Sequence, residues 1–170
     1  MDYTTADISR QAARLLESAG IAHEPVSLRD VVSALNLELV QKTREPFTSE
    51  AALEPFGDTH AIIVNGGSDD RRRRFTIAHE IGHFVLHPGL KRPERGGRVN
   101  EAGRIREREA DAFAAELLMP EPLVRQAVLE HGADAARLAD RFEVSRQAMQ
   151  TRLQRLDLSG RNADAPGGRL

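Results

Sequence analysis

The chain has 170 residues, 40% of them hydrophobic and 29% charged, with a formal net charge of -2. That length and apolar content suit one packed domain with at most a small appendage, and the balanced charge gives no ground for whole-molecule attraction to nucleic acid or anionic membrane. Cysteine is absent, which excludes disulfides and thiolate ligands, so any metal must be held by His, Asp or Glu.

The N-terminal stretch MDYTTADISRQAARLLESAG lacks the basic-then-apolar order of a signal peptide. No apolar run approaches the roughly 20 residues that span a bilayer. A cytoplasmic protein with no membrane partner is expected. From Thr5 to Ala19, apolar Ile8, Ala12, Leu15, Leu16 and Ala19 recur at helical spacing until Gly20 closes the segment. Ser27 can cap a second helix to Leu35, with Leu28, Val31, Val32 and Leu35 inward. The period then changes. Leu37, Leu39 and Gln41 alternate with polar neighbours, Ala51 and Leu53 mark another short strand, and HAIIVNGG at residues 60–67 is the clearest strand of all. Turn-rich pieces lie between these strands, so a small antiparallel sheet is expected.

Ser68-Asp69-Asp70 supplies a cap and first-turn acids for RRRRFTIAHEIGHFVLH, a helix that stops at Pro88-Gly89. Residues 90–103, rich in Arg, Gly and Pro, read as an exposed loop. RIREREADAFAAELLM is strongly helical and runs into Pro120, and a further helix begins at Glu121. In LADRFEVSRQAMQTRLQRLDL, Leu138 and Phe142 sit in one helix and Val144-Ser145 form a turn and cap. Ala148, Met149, Leu153 and Leu156 then pack a second helix. Such a helix-turn-helix would expose Arg146, Gln147, Gln150 and Arg152. The expected division is residues 1–130, a helix-turn-helix-like unit at 131–158, and a disordered tail at 159–170, which has little to bury.

Three of the six histidines lie in IAHEIGHFVLH, residues 77–87. Helical residues four apart are offset by about 40° and about 6 Å along the axis, so His79 and His83 can converge on one ion. Glu80 lies beside that face, able to reach a water near the ion without ligating it. This is the chemistry of His-Glu-x-x-His: two neutral imidazoles on a metal and a carboxylate that takes a proton. A core helix with hydrogen-bonded histidines is the plainer alternative, and it requires no third carboxylate in any particular place. The sequence has one. Glu107 and Asp111 are again four apart on a later helix. Glu107 can complete a His2Glu set, and Asp111 can accept the ring N–H of a ligating histidine. Glu109 points about 200° away from Glu107 and reads as part of a solvated face. Were Glu109 the ligand instead, Asp111 would lose that role. His87 is two turns, about 12 Å, from His79 and reads as a helix-end residue.

RRRRFTIAHEIGHFVLH and EREADAFAAELLMP resemble the two signature helices of the ImmA/IrrE family of metallo-endopeptidases, and HAIIVNGG resembles the strand leading into the active-site helix. The resemblance implies an α+β, zincin-like fold with a gluzincin-type site and a helix-turn-helix-like C-terminal unit. Carried over by position, His79, His83 and Glu107 are the metal ligands, Glu80 is the catalytic base and the metal is Zn2+, with Mn2+ possible. Asp111 stands where the family commonly has Asn, and either can accept from an imidazole. The implied substrate is a helix-turn-helix repressor of the XRE type, encoded nearby, whose site-specific cleavage relieves repression. An extended substrate could pair with residues 60–67 at Ile63, Val64 and Asn65, provided that strand is an edge. The competing reading is a DNA-binding or toxin–antitoxin module with a vestigial metal site.

Overall fold

The computed structural model describes residues 3–42, 51–67, 69–89 and 100–160. Helix α1 (Thr5–Ser18) opens with a reciprocal capping box between Thr4 and Asp7 and buries Ile8, Ala12, Leu15 and Leu16. Ser27 caps α2 (Leu28–Ala34) as its position before Leu28 and Val31 requires. Strands β1 (Leu37–Lys42), β2 (Ala51–Phe56) and β3 (Thr59–Asn65) form one sheet in the order β1-β3-β2.

The sheet is mixed, which corrects the expectation of an antiparallel one. β2 and β3 form an antiparallel hairpin, Phe56 opposite Thr59, over Gly57-Asp58. Gly57 takes a φ of 58°, the left-handed geometry that tight hairpin turns assign to glycine. β1 lies parallel to β3, with Leu37 opposite His60 and Lys42 opposite Asn65. Alternation reports which side chains face the core and says nothing about strand direction. The continuous burial of Ala61, Ile62, Ile63 and Val64 does carry a signal, because runs apolar on both faces belong to covered central strands.

Asp69 caps α3 (Asp70–Leu86), accepting from the Arg71 and Arg72 amides. α4 (Glu101–Leu118) starts three residues before the expected Arg104, because the Asn100 side chain accepts from the Gly103 amide at 2.8 Å. Of the expected loop 90–103, residues 90–99 lie outside the described residues, as do Ser68 and residues 161–170 of the expected tail. Phe113, Ala114, Leu117 and Leu118 of α4 are wholly buried. α4 runs between α3 and α1. The chain closes with α5 (Glu121–His131), α6 (Ala135–Phe142) and α7 (Arg146–Arg155). No helix among the described residues is long and apolar enough to cross a membrane.

α6 and α7 share the core of the rest of the chain through Leu138, Phe142, Met149 and Leu153. Polar ties reinforce this. Arg141 pairs with Glu24 at 2.6 Å, and Arg74 reaches the Val26 carbonyl at 2.9 Å and the Glu143 carboxylate at 3.3 Å. Arg152, expected on an exposed face, is only 4% exposed. Its Nε donates to the Met119 carbonyl at 2.9 Å and its guanidinium forks onto Glu116, Nη2 to Oε2 at 2.7 Å. Two apolar neighbours, Met149 and Leu153, flank it on the buried side of α7, and a buried charge is tolerable only when paired in this way.

The tightest constraint is between α3 and α4. A Cβ on Gly82 would stand 3.1 Å from the Cα and carbonyl oxygen of Ala110 and 3.2 Å from the Phe113 Cβ. Helix propensity alone favours Ala over Gly by about 1 kcal/mol. Overpacking against a backbone that cannot rotate away costs about 1–3 kcal/mol. Gly82→Ala is therefore expected to lower stability by about 1 kcal/mol in urea unfolding, and Gly82→Val by more; a Val variant as stable as the wild type would contradict this packing.

Candidate metal centre

The α3–α4 contact sets two i, i+4 pairs face to face. His79 and His83 project from α3, and Glu107 and Asp111 from α4. The His79 and His83 Nε2 atoms are 3.0 Å apart. Glu107 addresses both rings, Oε2 lying 3.3 Å from His79 Nε2 and Oε1 lying 3.4 Å from His83 Nε2. One ligand atom from each of the three residues falls within 4.8 Å of the others, the arrangement of a group that could hold a metal ion. Bonds of about 2.0–2.2 Å to a tetrahedral zinc place ligand atoms about 3.3–3.6 Å apart, so the three side chains fit that ion with little movement.

Asp111 supplies the remaining order. Its Oδ1 lies 2.8 Å from His79 Nδ1 and accepts that N–H, which leaves the Nε2 lone pair facing Glu107 and His83. Burial of the His79 ring disfavours its charged form. The hydrogen bond to Asp111 and the charges of Asp111, Glu80 and Glu107 outweigh that and hold His79 above its ordinary pKa. The same three carboxylates that favour a proton on the ring favour a cation beside it. Glu80 is 3% exposed, one residue from His79.

His87 is the C-cap of α3, as its place at the helix end suggests. Its ring continues the histidine row at 5.4 Å from His83 but turns elsewhere. Nε2 lies 3.3 Å from the Arg106 carbonyl and 3.4 Å from Glu109 Oε2. Glu109 is 6% exposed, which corrects its assignment to a solvated face. Its other oxygen accepts the Tyr3 amide at 2.6 Å, and the Tyr3 ring lies 6.2 Å from His87. Tyr3, remote in sequence, is therefore a neighbour of the site's α4 edge. The missed signal was in α4 itself: carboxylates on opposite faces suit a helix with partners on both sides.

The substrate-pairing residues meet a different fate. β1 pairs with residues 60–65 of β3 and β2 with residues 59–64, so Ile63 and Val64 have strand neighbours on both sides and Asn65 on the β1 side. Ile63 and Val64 are buried core residues, and the Asn65 side chain accepts the Gly67 amide at 3.0 Å. Ile63 and Val64 therefore offer no open edge to a substrate strand.

This architecture packs a two-histidine helix by glycine against a carboxylate-bearing helix and brings together side chains that could hold a metal ion. Residues 31–154 match the IrrE N-terminal-like domain, and the chain belongs to that peptidase family. It is 31% identical over 105 residues to the radiation response metalloprotease IrrE of Deinococcus radiodurans, a match covering 56% of this chain and 30% of that protein. It is 37% identical over 65 residues to immunity region protein 2 of Bacillus phage phi105, covering 38% of this chain and 41% of that one. The chain thus matches less than half the length of either relative. A solved Mycobacterium tuberculosis transcriptional regulator shares the fold, with a TM-score of 0.65 at 20% identity, covering 88% of this chain and 46% of that one.

Zinc analysis by chelator competition is expected to find one ion per chain, lost in Glu107→Ala. Asp111→Ala should keep the site but weaken it about 10–100-fold, because only the support of His79 is removed.

Proposed function

We propose that this chain is a zinc-dependent endopeptidase, with manganese as the alternative metal, and that its substrate is an XRE-type helix-turn-helix repressor encoded nearby. The observation that carries the reading is the convergence of His79, His83 and Glu107 beside a buried Glu80, with Asp111 orienting His79. Family membership supports it, and so do the names of two relatives, a radiation-response metalloprotease and a phage immunity-region protein. In this reading the fold is zincin-like and the site is gluzincin-type.

His79, His83 and Glu107 hold the ion, which when bound polarises a peptide carbonyl and makes a water acidic enough to lose its proton near neutral pH. The Glu80 carboxylate would serve as the base for a water at that site and as the proton donor to the leaving amine. Its burial shields the carboxylate from bulk solvent, and Asp111 keeps the lone pair of His79 Nε2 pointed toward Glu107 and His83. Cleavage of the repressor then relieves repression.

The second reading is a DNA-binding or toxin–antitoxin module whose metal site is vestigial, and the helix–turn–helix order of α6 and α7 favours it. Arg146 and Gln147 are exposed, as a recognition helix needs, but Arg152 is committed to Glu116 and Met119. Intact ligands and base favour the peptidase.

Zinc-loaded protein incubated with the neighbouring repressor should cleave it at one site. Glu80→Gln should retain the metal and slow cleavage by about 10²–10⁴-fold. Cleavage undiminished in that variant would remove Glu80 from its role.

A further inference from the structure

A groove of about 880 Å³ runs between the start of α3, one face of α4 and α7. Its floor is apolar, formed by Phe75, Ala112, Ala115 and Val144. Along α4 it extends from Arg108 to Met119, eleven residues on, which at about 1.5 Å per residue is about 16 Å or three helical turns. Asp111, the partner of His79, lies within it, so the groove begins where the metal centre ends.

The rim has a definite sign. Arg71, Arg108, Arg146 and Arg155 line it and outnumber Asp69 and Asp111, although Arg71 is already paired with Asp140 at 2.6 Å. Arg146 and Arg155 are exposed and have no hydrogen bond or ion pair at close range among the described residues, although the charge of Arg146 is felt by Asp134. Arg108 reaches Glu101 only at 3.5 Å, with both side chains well exposed. Single exposed pairs of this kind contribute about 0–1 kcal/mol, so Arg108 is available to a better partner. An apolar floor of small side chains between two helices, under a cationic rim, suits an amphipathic helix with an acidic outer face.

We infer that this groove is a docking site for an acidic amphipathic helix of the protein substrate, held next to the metal centre so that the adjoining chain enters it. The inference rests on the peptidase reading above and names what would make that peptidase selective. A nucleic-acid backbone fits the groove less well. A recognition helix must stand clear of its domain to enter a major groove, whereas Gln147, Thr151 and Arg155 of α7 form the wall of a concavity. Phosphates would also leave the floor of Phe75, Ala112 and Ala115 uncovered.

The test uses the full-length, zinc-loaded Glu80→Gln protein, so that binding is read without cleavage. Fluorescence anisotropy would follow three labelled probes: a helical peptide of about four turns with leucine on one face and glutamate on the other, its lysine counterpart, and a duplex DNA of similar length. The glutamate peptide should bind best. The double substitution Arg146→Glu and Arg155→Glu should weaken it about tenfold at low salt, and Arg10→Glu on α1, remote from the groove, should not. Both groove arginines are exposed, so an unchanged thermal midpoint would establish that the double variant folds. Equal binding of the lysine peptide, tighter binding of the DNA, or indifference to the double substitution would overturn the inference. A protein that cleaves its repressor yet fails this test contradicts the docking site alone; one that binds the peptide but cleaves nothing contradicts the peptidase reading.

Discussion

The close approach of α3 and α4 at Gly82 is the constraint on which the rest of the molecule depends. With no side chain there, the Ala110 backbone comes within van der Waals contact of α3; His79 and Glu107 lie about one turn before the contact on their helices, and His83 and Asp111 lie directly after it. Glycine in a helix interior costs about 1 kcal/mol relative to Ala. The burial of Phe113, Ile81 and Ala78 around the contact offsets that cost, since each large side chain removed from water contributes about 1.5–3 kcal/mol. The sheet lies behind α3 and α1 lies behind α4, so both helices of the site are braced from outside.

Much of this was legible in the sequence. The caps at Ser27, Asp69 and Ser145 and the stop at Gly20 are local chemistry, and the helices begin and end beside them. The pairing of His79 and His83 with Glu107 and Asp111 was legible too, because two i, i+4 patterns of complementary residue types constrain each other more than either does alone. Three features were not. Strand direction left no mark in β1 or β2, and the central place of β3 was visible only as an unbroken apolar run. Glu109 looked solvent-facing because periodicity describes one helix at a time and is blind to a second partner on the other side. Arg152 looked like a recognition residue because a formal charge says nothing of whether Glu116 waits across the interface.

The electrostatics of the site and of the groove follow from the same packing. Glu80, Glu107 and Asp111 concentrate negative charge around two imidazoles, which raises the affinity of His79 for a proton and suits the same place to a divalent cation. A short distance along α4 the sign reverses, because α7 is drawn in by the Arg152–Glu116 clamp and carries Arg146 and Arg155 to the groove's edge. A chain with a net charge of only -2 thus presents a cluster of carboxylates around two imidazoles beside a cationic rim. That polarity is lost in the sum and visible only once the helices are placed.

The central claim is that the α3–α4 contact builds a three-ligand site from two imidazoles and one carboxylate, with the third histidine of the row turned away. X-ray absorption at the zinc edge of the loaded protein tests it most directly. The account predicts a four-coordinate site of light atoms with the outer-shell scattering of two imidazoles. A third imidazole would mean that His87 leaves Glu109 to ligate the ion, and a single imidazole would mean that His79 and His83 do not share it; either would contradict the account.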